Sequence, residues 1–378
     1  MPEPSLDRSH FLAGAAAMIA GAALPGLATG AAQAVVPRGL TYRGVAYEVA
    51  DGAYPSTSWD VGRMRVDLSA IAHELHANSV SVFGNGVERL IDTAEEAAQQ
   101  GLHVWLQPRM GDVPRKDILD HLAEAGQQAE ALRRQGASID LSVGCEFVLF
   151  VPGIVPGDNA LERIEHLLAG TYDPERMQRR LAAFIADAAK VGRSTFGGRL
   201  SYAAAEDEVV DWRPFDVVGI DYYSSFPHRS QHLRALRRHT RWGKPVAIAE
   251  FGTCTYKGAA RRGGMAWDAL DETGEHIRGD LVRSERAQAR HLVALLRIFE
   301  SVGLDSALVY QFVVPDAPHR STPRTDLDVA SYGIVKPIWK TLDQPKPGWR
   351  WEPKAAFRAL AHEYRDAAAV GTSTRSFA

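Results

Sequence analysis

Leu141-Ser142-Val143-Gly144-Cys145-Glu146 and Val246-Ala247-Ile248-Ala249-Glu250-Phe251-Gly252 are two short apolar runs about a hundred residues apart, each bringing a glutamate at its end. They are apolar throughout rather than alternating, the pattern of parallel strands covered on both faces. A carboxylate straight after such a run sits where the sheet opens to solvent. Working outward, similar runs predict strands over 39–47, 79–83, 103–107, 140–146, 200–202, 217–221, 246–250 and 307–312. Between them, 66–76, 87–100, 116–134, 174–191, 231–240 and 284–302 carry apolar residues at helical spacing, and 353–368 closes the set. The segment 206–212 has room only for a stub of helix.

Strict alternation of strand and helix implies parallel strands with helices outside. Eight such units fit an α/β fold with a single closed (β/α)8 TIM barrel better than an open doubly wound sheet. No glycine fingerprint follows the first strand, which argues against a dinucleotide site. The barrel is expected over 38–368, with a flexible tail over 369–378. The long connections 151–172 and 257–280 read as lids or subsite walls on the catalytic face.

Composition narrows the classes. The chain has 378 residues, 46% hydrophobic and 24% charged, enough for a substantial core. With 43 basic against 46 acidic residues, the net charge of −3 gives no electrostatic reason to expect nucleic acid or an anionic membrane as partner. Residues 1–34 read as an export signal: Arg8 precedes an uncharged stretch rich in Ala and Gly, and Ala32-Gln33-Ala34 offers a small-x-small cleavage site. Arg8-Ser9-His10-Phe11-Leu12 resembles a twin-arginine signal with one arginine missing. The expected location is periplasmic or secreted, and only an uncleaved leader would make the membrane a stable partner. The two cysteines, Cys145 and Cys254, give no disulfide framework and no zinc spacing. They read as small buried residues lining the barrel, the rival being a bridge across its mouth.

In such a barrel the active site lies at the C-terminal ends of the strands. Those ends supply Tyr47, Glu48, Asn85, Arg89, Gln107, Arg109, Glu146, Tyr202, Glu206, Asp221, Tyr222, Tyr223, Glu250 and Gln311. Most would be expensive to bury in an idle barrel mouth. Glu146 and Glu250 are the paired carboxylates that glycoside cleavage requires, one protonated for the leaving oxygen and one ionised beside the anomeric carbon. Tyr47, Glu48, Asn85, Gln107, Arg109, Tyr202, Asp221, Tyr222, Tyr223 and Gln311 are the candidate substrate-binding residues.

Glutamates ending strands four and seven, with tyrosine after strand six, resemble the retaining glycoside hydrolases of clan A over about residues 38 to 368. The resemblance implies Glu146 as general acid/base, Glu250 as nucleophile, and Tyr222 or Tyr223 as the nucleophile's hydrogen-bond donor. Trp351-Glu352-Pro353-Lys354-Ala355-Ala356-Phe357 is similar to the lead-in of the last helix in those enzymes. Two positions depart from them. Cys145 stands where an asparagine usually precedes the acid/base, and Val309-Tyr310-Gln311-Phe312 lacks the usual tryptophan. The chain therefore points to an unusual sugar, or to transfer or rearrangement. Val143-Gly144-Cys145-Glu146 and Asp326-Leu327-Asp328-Val329-Ala330-Ser331-Tyr332-Gly333 also resemble a little-described bacterial group often labelled abortive-infection proteins.

Each residue also has a structural reading. Glu146 and Glu250 could be salt-bridged to Arg89 or Arg109, and Arg109 and Gln107 could orient substrate or neutralise Glu146. Glu206 reads as a surface carboxylate, and Asp326 and Asp328 as a solvated loop held by Asx turns. His73 and His76 lack the fuller metalloprotease motif and read as a solvated helix face. Trp59 and Trp267 are the better candidates for sugar platforms. The sequence thus predicts an exported glycoside hydrolase with a carbohydrate substrate and no metal or organic cofactor. The alternatives are a lyase, isomerase or cyclase using Glu250 as base, and a non-catalytic carbohydrate-binding barrel.

Overall fold

The computed structural model describes residues 39–340 and 348–375. The expected export signal lies outside the described residues. Eight parallel strands close in sequence order into one barrel: β1 (Tyr42–Val49), β2 (Ser79–Gly84), β3 (His103–Pro108), β4 (Ile139–Cys145), β5 (Leu200–Ala204), β6 (Val218–Asp221), β7 (Val246–Phe251) and β8 (Ser306–Val309). β8 pairs with β1, with Tyr42 opposite Ser306. No edge is left unpaired in the barrel, so every strand satisfies its backbone groups on both sides.

The outer ring comprises α1 (Val61–His73), α2 (Val87–Gln99), α3 (Arg115–Arg134), α6 (Pro174–Thr195), α7 (Arg229–Thr240), α8 (Glu285–Val302) and α9 (Ala355–Arg375). Their starts are set by side-chain caps. Asp60, Asp173 and Ser284 accept from the backbone N–H groups of Arg63, Arg176 and Ala287, and Pro174 fills the first turn of α6. α9 runs past the boundary at 368 read from the sequence. The expected stub over 206–212 is not helical; after β4 comes the four-residue α4 (Phe147–Phe150), and the connection over 151–172, expected as a lid or subsite wall, carries α5 (Ala160–Ala169). The signal for α5 was present: Asn159 accepts from the N–H of Glu162 to start it, and Gly170 ends it in the left-handed region. Among the described residues, no helix is long and apolar enough to cross a membrane.

The lumen is packed in layers. Trp105, Val217, Ala247 and Leu308 form one apolar cluster, and Cys145, Ala203 and Ala249 a second. The end nearer the strand starts is closed by polar groups that the sequence reading missed. His103 lies 3.1 Å from Asp140, which also accepts from Arg199, and Ser79 bonds the other ring nitrogen of His103. At this face of such a barrel, these groups serve stability rather than chemistry.

Beyond β8 the chain adds an antiparallel pair, β9 (Val335–Trp339) and β10 (Trp349–Pro353), before α9. Here the solvated loop expected at Asp326 and Asp328 is corrected. Both are buried; Asp328 lies 2.7 Å from the ammonium of Lys354 and 2.7 Å from Arg283, and Asp326 is held by Arg283 and His319. Lys354 has no exposed surface and also donates to Thr255. This ion network ties the lead-in of α9 to the segments after β7 and β8. His73 is exposed at the end of α1, beside Gln100.

Candidate active site

The carboxyl ends of β4, β6 and β7 bring Glu146, Asp221 and Glu250 together. Each of these strands breaks register as it nears that end, between Ser142 and Cys145, between Ile220 and Asp221, and between Ile248 and Phe251. Such irregularities re-aim side chains. Asp221 and Glu250 face each other across the β6–β7 pair.

Glu146 sits on an unusual turn. Its backbone is left-handed, at φ 38° and ψ 56°, a conformation a side chain adopts only when its surroundings hold it there. The holders are explicit. Its own N–H donates to Ala203, and the next N–H, of Phe147, donates to the Tyr202 hydroxyl at 2.7 Å. Tyr202 in turn donates to Glu208, whose other oxygen accepts from the N–H of Val148. Two residues earlier, Gly144 has φ 153°, and a Cβ there would strike the Phe147 ring at 2.3 Å. Glu208 was missed in the sequence because it lies in an irregular stretch with no motif around it.

Glu250 is fully engaged. Arg109 binds its Oε1, Tyr223 donates to its Oε2 at 2.9 Å, and the Cys145 thiol lies 3.9 Å from Oε1. Arg109 also donates to Gln107 and stacks over the Phe83 ring at 4.4 Å. Arg89 instead pairs with Asp51. Glu146 is the opposite: it has no exposed surface, and neither of its oxygens has a hydrogen-bond partner.

That contrast separates their acidities. Burial, then the negative charges of Asp221 and Glu250, push Glu146 well above the ordinary carboxyl range, with Arg109 opposing weakly. Burial also leaves Glu250 raised, with Arg109, Tyr223 and Cys145 opposing the rise only in part. Asp221 is raised well above its usual value by burial and then by Glu250. Glu48 is raised to about 7 by burial, with Arg109 opposing and Asp316 and Glu250 adding to the rise.

The other expected residues divide by which way their strand positions face. Gln107, Arg109, Asp221, Tyr223 and Glu48 share the electrostatic neighbourhood of Glu250. Gln311 is buried just beyond β8 with its Oε1 unpartnered. Tyr47, Tyr202 and Tyr222 are turned to the helical shell instead: Tyr47 donates to Asp67 of α1, Tyr202 braces α4, and Tyr222 bonds His232 of α7. The Tyr202 and Tyr222 hydroxyls are taken up by these contacts with α4, Glu208 and α7. The Asn85 side chain is exposed, and its carbonyl accepts from His121. Glu206 is corrected too: it accepts from the N–H and hydroxyl of Ser224 and braces the ends of β5 and β6.

A cleft opens beside Glu48, lined by Tyr47, Asp51, Trp59, Arg63, Asp316 and Trp349. Trp59 forms part of its wall, whereas Trp267 is buried. The two cysteines are both free and far apart in role. Cys254 lies against the carbonyl of Ala330, whereas the Cys145 thiol donates to Asp221 Oδ2 at 3.4 Å. Cys145, Asp221 and Glu250 form the group among the described residues whose atoms could ligate a metal, all within 4.8 Å of one another.

No protein-family model and no curated protein matches the chain. Solved structures do. An exo-beta-1,4-mannosidase, Op5Man5 from Opitutaceae bacterium strain TAV5, matches with a TM-score of 0.54 and 14% identity over 86% of this chain. The chain spans 59% of that protein's length. Beta-glucosidase 1317 matches with a TM-score of 0.52 and 13% identity, over 87% of this chain and 98% of its own. This chain shares their barrel fold. At these identities the likeness is one of fold, and fold alone does not fix function.

Proposed function

We propose that the protein is a glycoside hydrolase of the retaining type, with Glu146 as general acid/base and Glu250 as nucleophile. The observation that carries this reading is the contrast between the two glutamates. Glu146 is buried without a partner, which favours its protonated form, whereas Glu250 is bound by a guanidinium and a phenol, which favour its ionised form. Glycosidase activity in the two proteins of like fold supports it.

In the first step Glu146 gives its proton to the leaving oxygen while a Glu250 oxygen attacks the anomeric carbon, forming a glycosyl ester. Glu146 then takes a proton from water, the water oxygen attacks the same carbon, and Glu250 leaves as carboxylate. The sugar would enter through the cleft beside Glu48, with Trp59 as an apolar platform. Export through the leader over residues 1–34 belongs to the same proposal and would place the enzyme in the periplasm or medium; the N-terminal residue of protein recovered there checks it.

The test is turnover of a panel of aryl glycosides by wild type, Glu146→Gln and Glu250→Gln. Loss of about 10²–10⁴-fold or more in each variant supports the pair, and activity within a few-fold of wild type rejects it. The first-formed anomer, read by NMR, distinguishes retention from inversion. Incorporation of oxygen from labelled water separates hydrolysis from lyase, isomerase or cyclase chemistry.

A further inference from the structure

Cys145 has no task in that mechanism, yet its thiol faces the two carboxylates at the centre of the site. Its sulfur lies 3.4 Å from Asp221 Oδ2 and 3.9 Å from Glu250 Oε1. Zinc binds sulfur at about 2.3 Å and carboxylate oxygen at about 2.1 Å, so two such ligands at a tetrahedral angle stand about 3.6 Å apart. The two observed separations bracket that edge. The three side chains come from three different strands, which is why no ligand spacing is visible in the sequence.

A second observation points to a cation. Asp221 is wholly buried and its Oδ1 has no hydrogen-bond partner, and Glu146 beside it has none on either oxygen. Buried carboxylate oxygens are normally satisfied by donors, and where they converge a metal ion supplies what donors do not. Arg109 and Tyr223, which bind the two oxygens of Glu250, would be the outer-shell groups that orient a ligating carboxylate.

We propose that Cys145, Asp221 and Glu250 form a binding site for a divalent cation of the zinc class, taken up as an inhibitor. The fourth position falls to Asp221 Oδ1 or water. Uptake releases the thiol proton of Cys145 and any proton on the two carboxyls to solvent, with no electron transferred. Bound metal occupies the Glu250 oxygen lone pairs that the proposed displacement needs. The inhibitory consequence rests on the hydrolase reading; the binding itself does not.

Full-length protein freed of metal by chelator is titrated with Co²⁺ and, separately, with Zn²⁺. The expected result is one ion per chain, a sulfur-to-cobalt charge-transfer band, and displacement of cobalt by zinc. Cys145→Ser should abolish the band, Asp221→Asn should weaken binding about tenfold or more, and Cys254→Ser should change neither. Absence of the band in wild type, or its persistence in Cys145→Ser, overturns the proposal. Should Cys145→Ser not fold, protection of Cys145 from alkylation by Zn²⁺ in wild type, read by mass spectrometry, decides instead; no protection overturns it. Binding without turnover on any glycoside would reject the hydrolase reading alone. Turnover without binding would reject the metal site alone.

Discussion

Glu250 and Glu146 lie in one low-dielectric mouth, and their different partners make them different acids. Tyr223 is the clearest handle on that difference. Removing its hydroxyl takes one donor from the Glu250 carboxylate, so the Glu250 pKa rises. Tyr223→Phe is expected to cut kcat about tenfold, in the range of a lost catalytic hydrogen bond, and to move the acid limb of the rate profile to higher pH. A pH–rate curve for the variant checks it, and an unmoved acid limb would separate Tyr223 from Glu250. The same profile in wild type should keep a high basic limb, because burial and neighbouring negative charge hold the Glu146 proton.

Among the elements, the four-residue helix α4 has the largest leverage for its size. It is too short to hold itself, and its first N–H groups are satisfied by Tyr202 and Glu208 rather than by a side chain of its own. These two residues hold the turn that carries Glu146. Glu208→Ala removes the cap and leaves the Tyr202 hydroxyl short of its acceptor, so a loss of about 1–2 kcal/mol is expected. Because the left-handed turn at Glu146 loosens, kcat should fall while KM stays near wild type. Thermal melting together with a kcat–KM separation tests both halves, and a change in KM alone would contradict the positioning role. At β4, β6 and β7 the pairing also shifts register close to Cys145, Asp221 and Glu250, the kind of irregularity that re-aims side chains.

For the whole molecule, buried charge shapes stability. Lys354 and Asp328 have no exposed surface, so Lys354→Met strands a carboxylate beside a single remaining cation, Arg283. A cost of about 3–5 kcal/mol is expected in urea unfolding. Replacing both partners by apolar residues should recover much of it, and a single variant as stable as wild type would contradict the network. Acid groups raised by burial give a pH signature. Asp67 and Glu48 are raised to about 7 in the folded chain and Glu208 to about 8. Between the ordinary carboxyl value and these pKa values, the unfolded chain has lost protons that the folded chain keeps, so stability falls as pH rises through that window. Glu285, held near 2 by Arg283, the Ala355 N–H and Lys336, works the other way and loses its contribution on strong acidification. Melting temperature should therefore peak on the acid side of neutral, and Asp67→Asn should flatten the decline between the ordinary carboxyl range and about pH 7.

The sequence by itself determined the barrel, because continuous apolar runs alternating with helical spacing leave parallel strands with outer helices as the consistent solution. It also placed Glu146, Asp221, Glu250 and Gln107 at the strand ends, since each follows an apolar run directly, with Arg109 two residues past Gln107. Which neighbour faces the lumen was left to tertiary structure. Side chains alternate along a strand, so one residue of register separates Tyr223 on Glu250 from Tyr222 on His232. Of the register breaks, that of β4 has a sequence mark, Gly144 within the run. Partners distant in sequence were hidden. Asp328 looks solvated until Arg283 and Lys354 close on it, and Cys145 looks like filler until three strands bring it against Asp221 and Glu250. Local pattern fixes which residues reach the mouth of the barrel; closure of the chain over long separations fixes their contacts, and with them their charge.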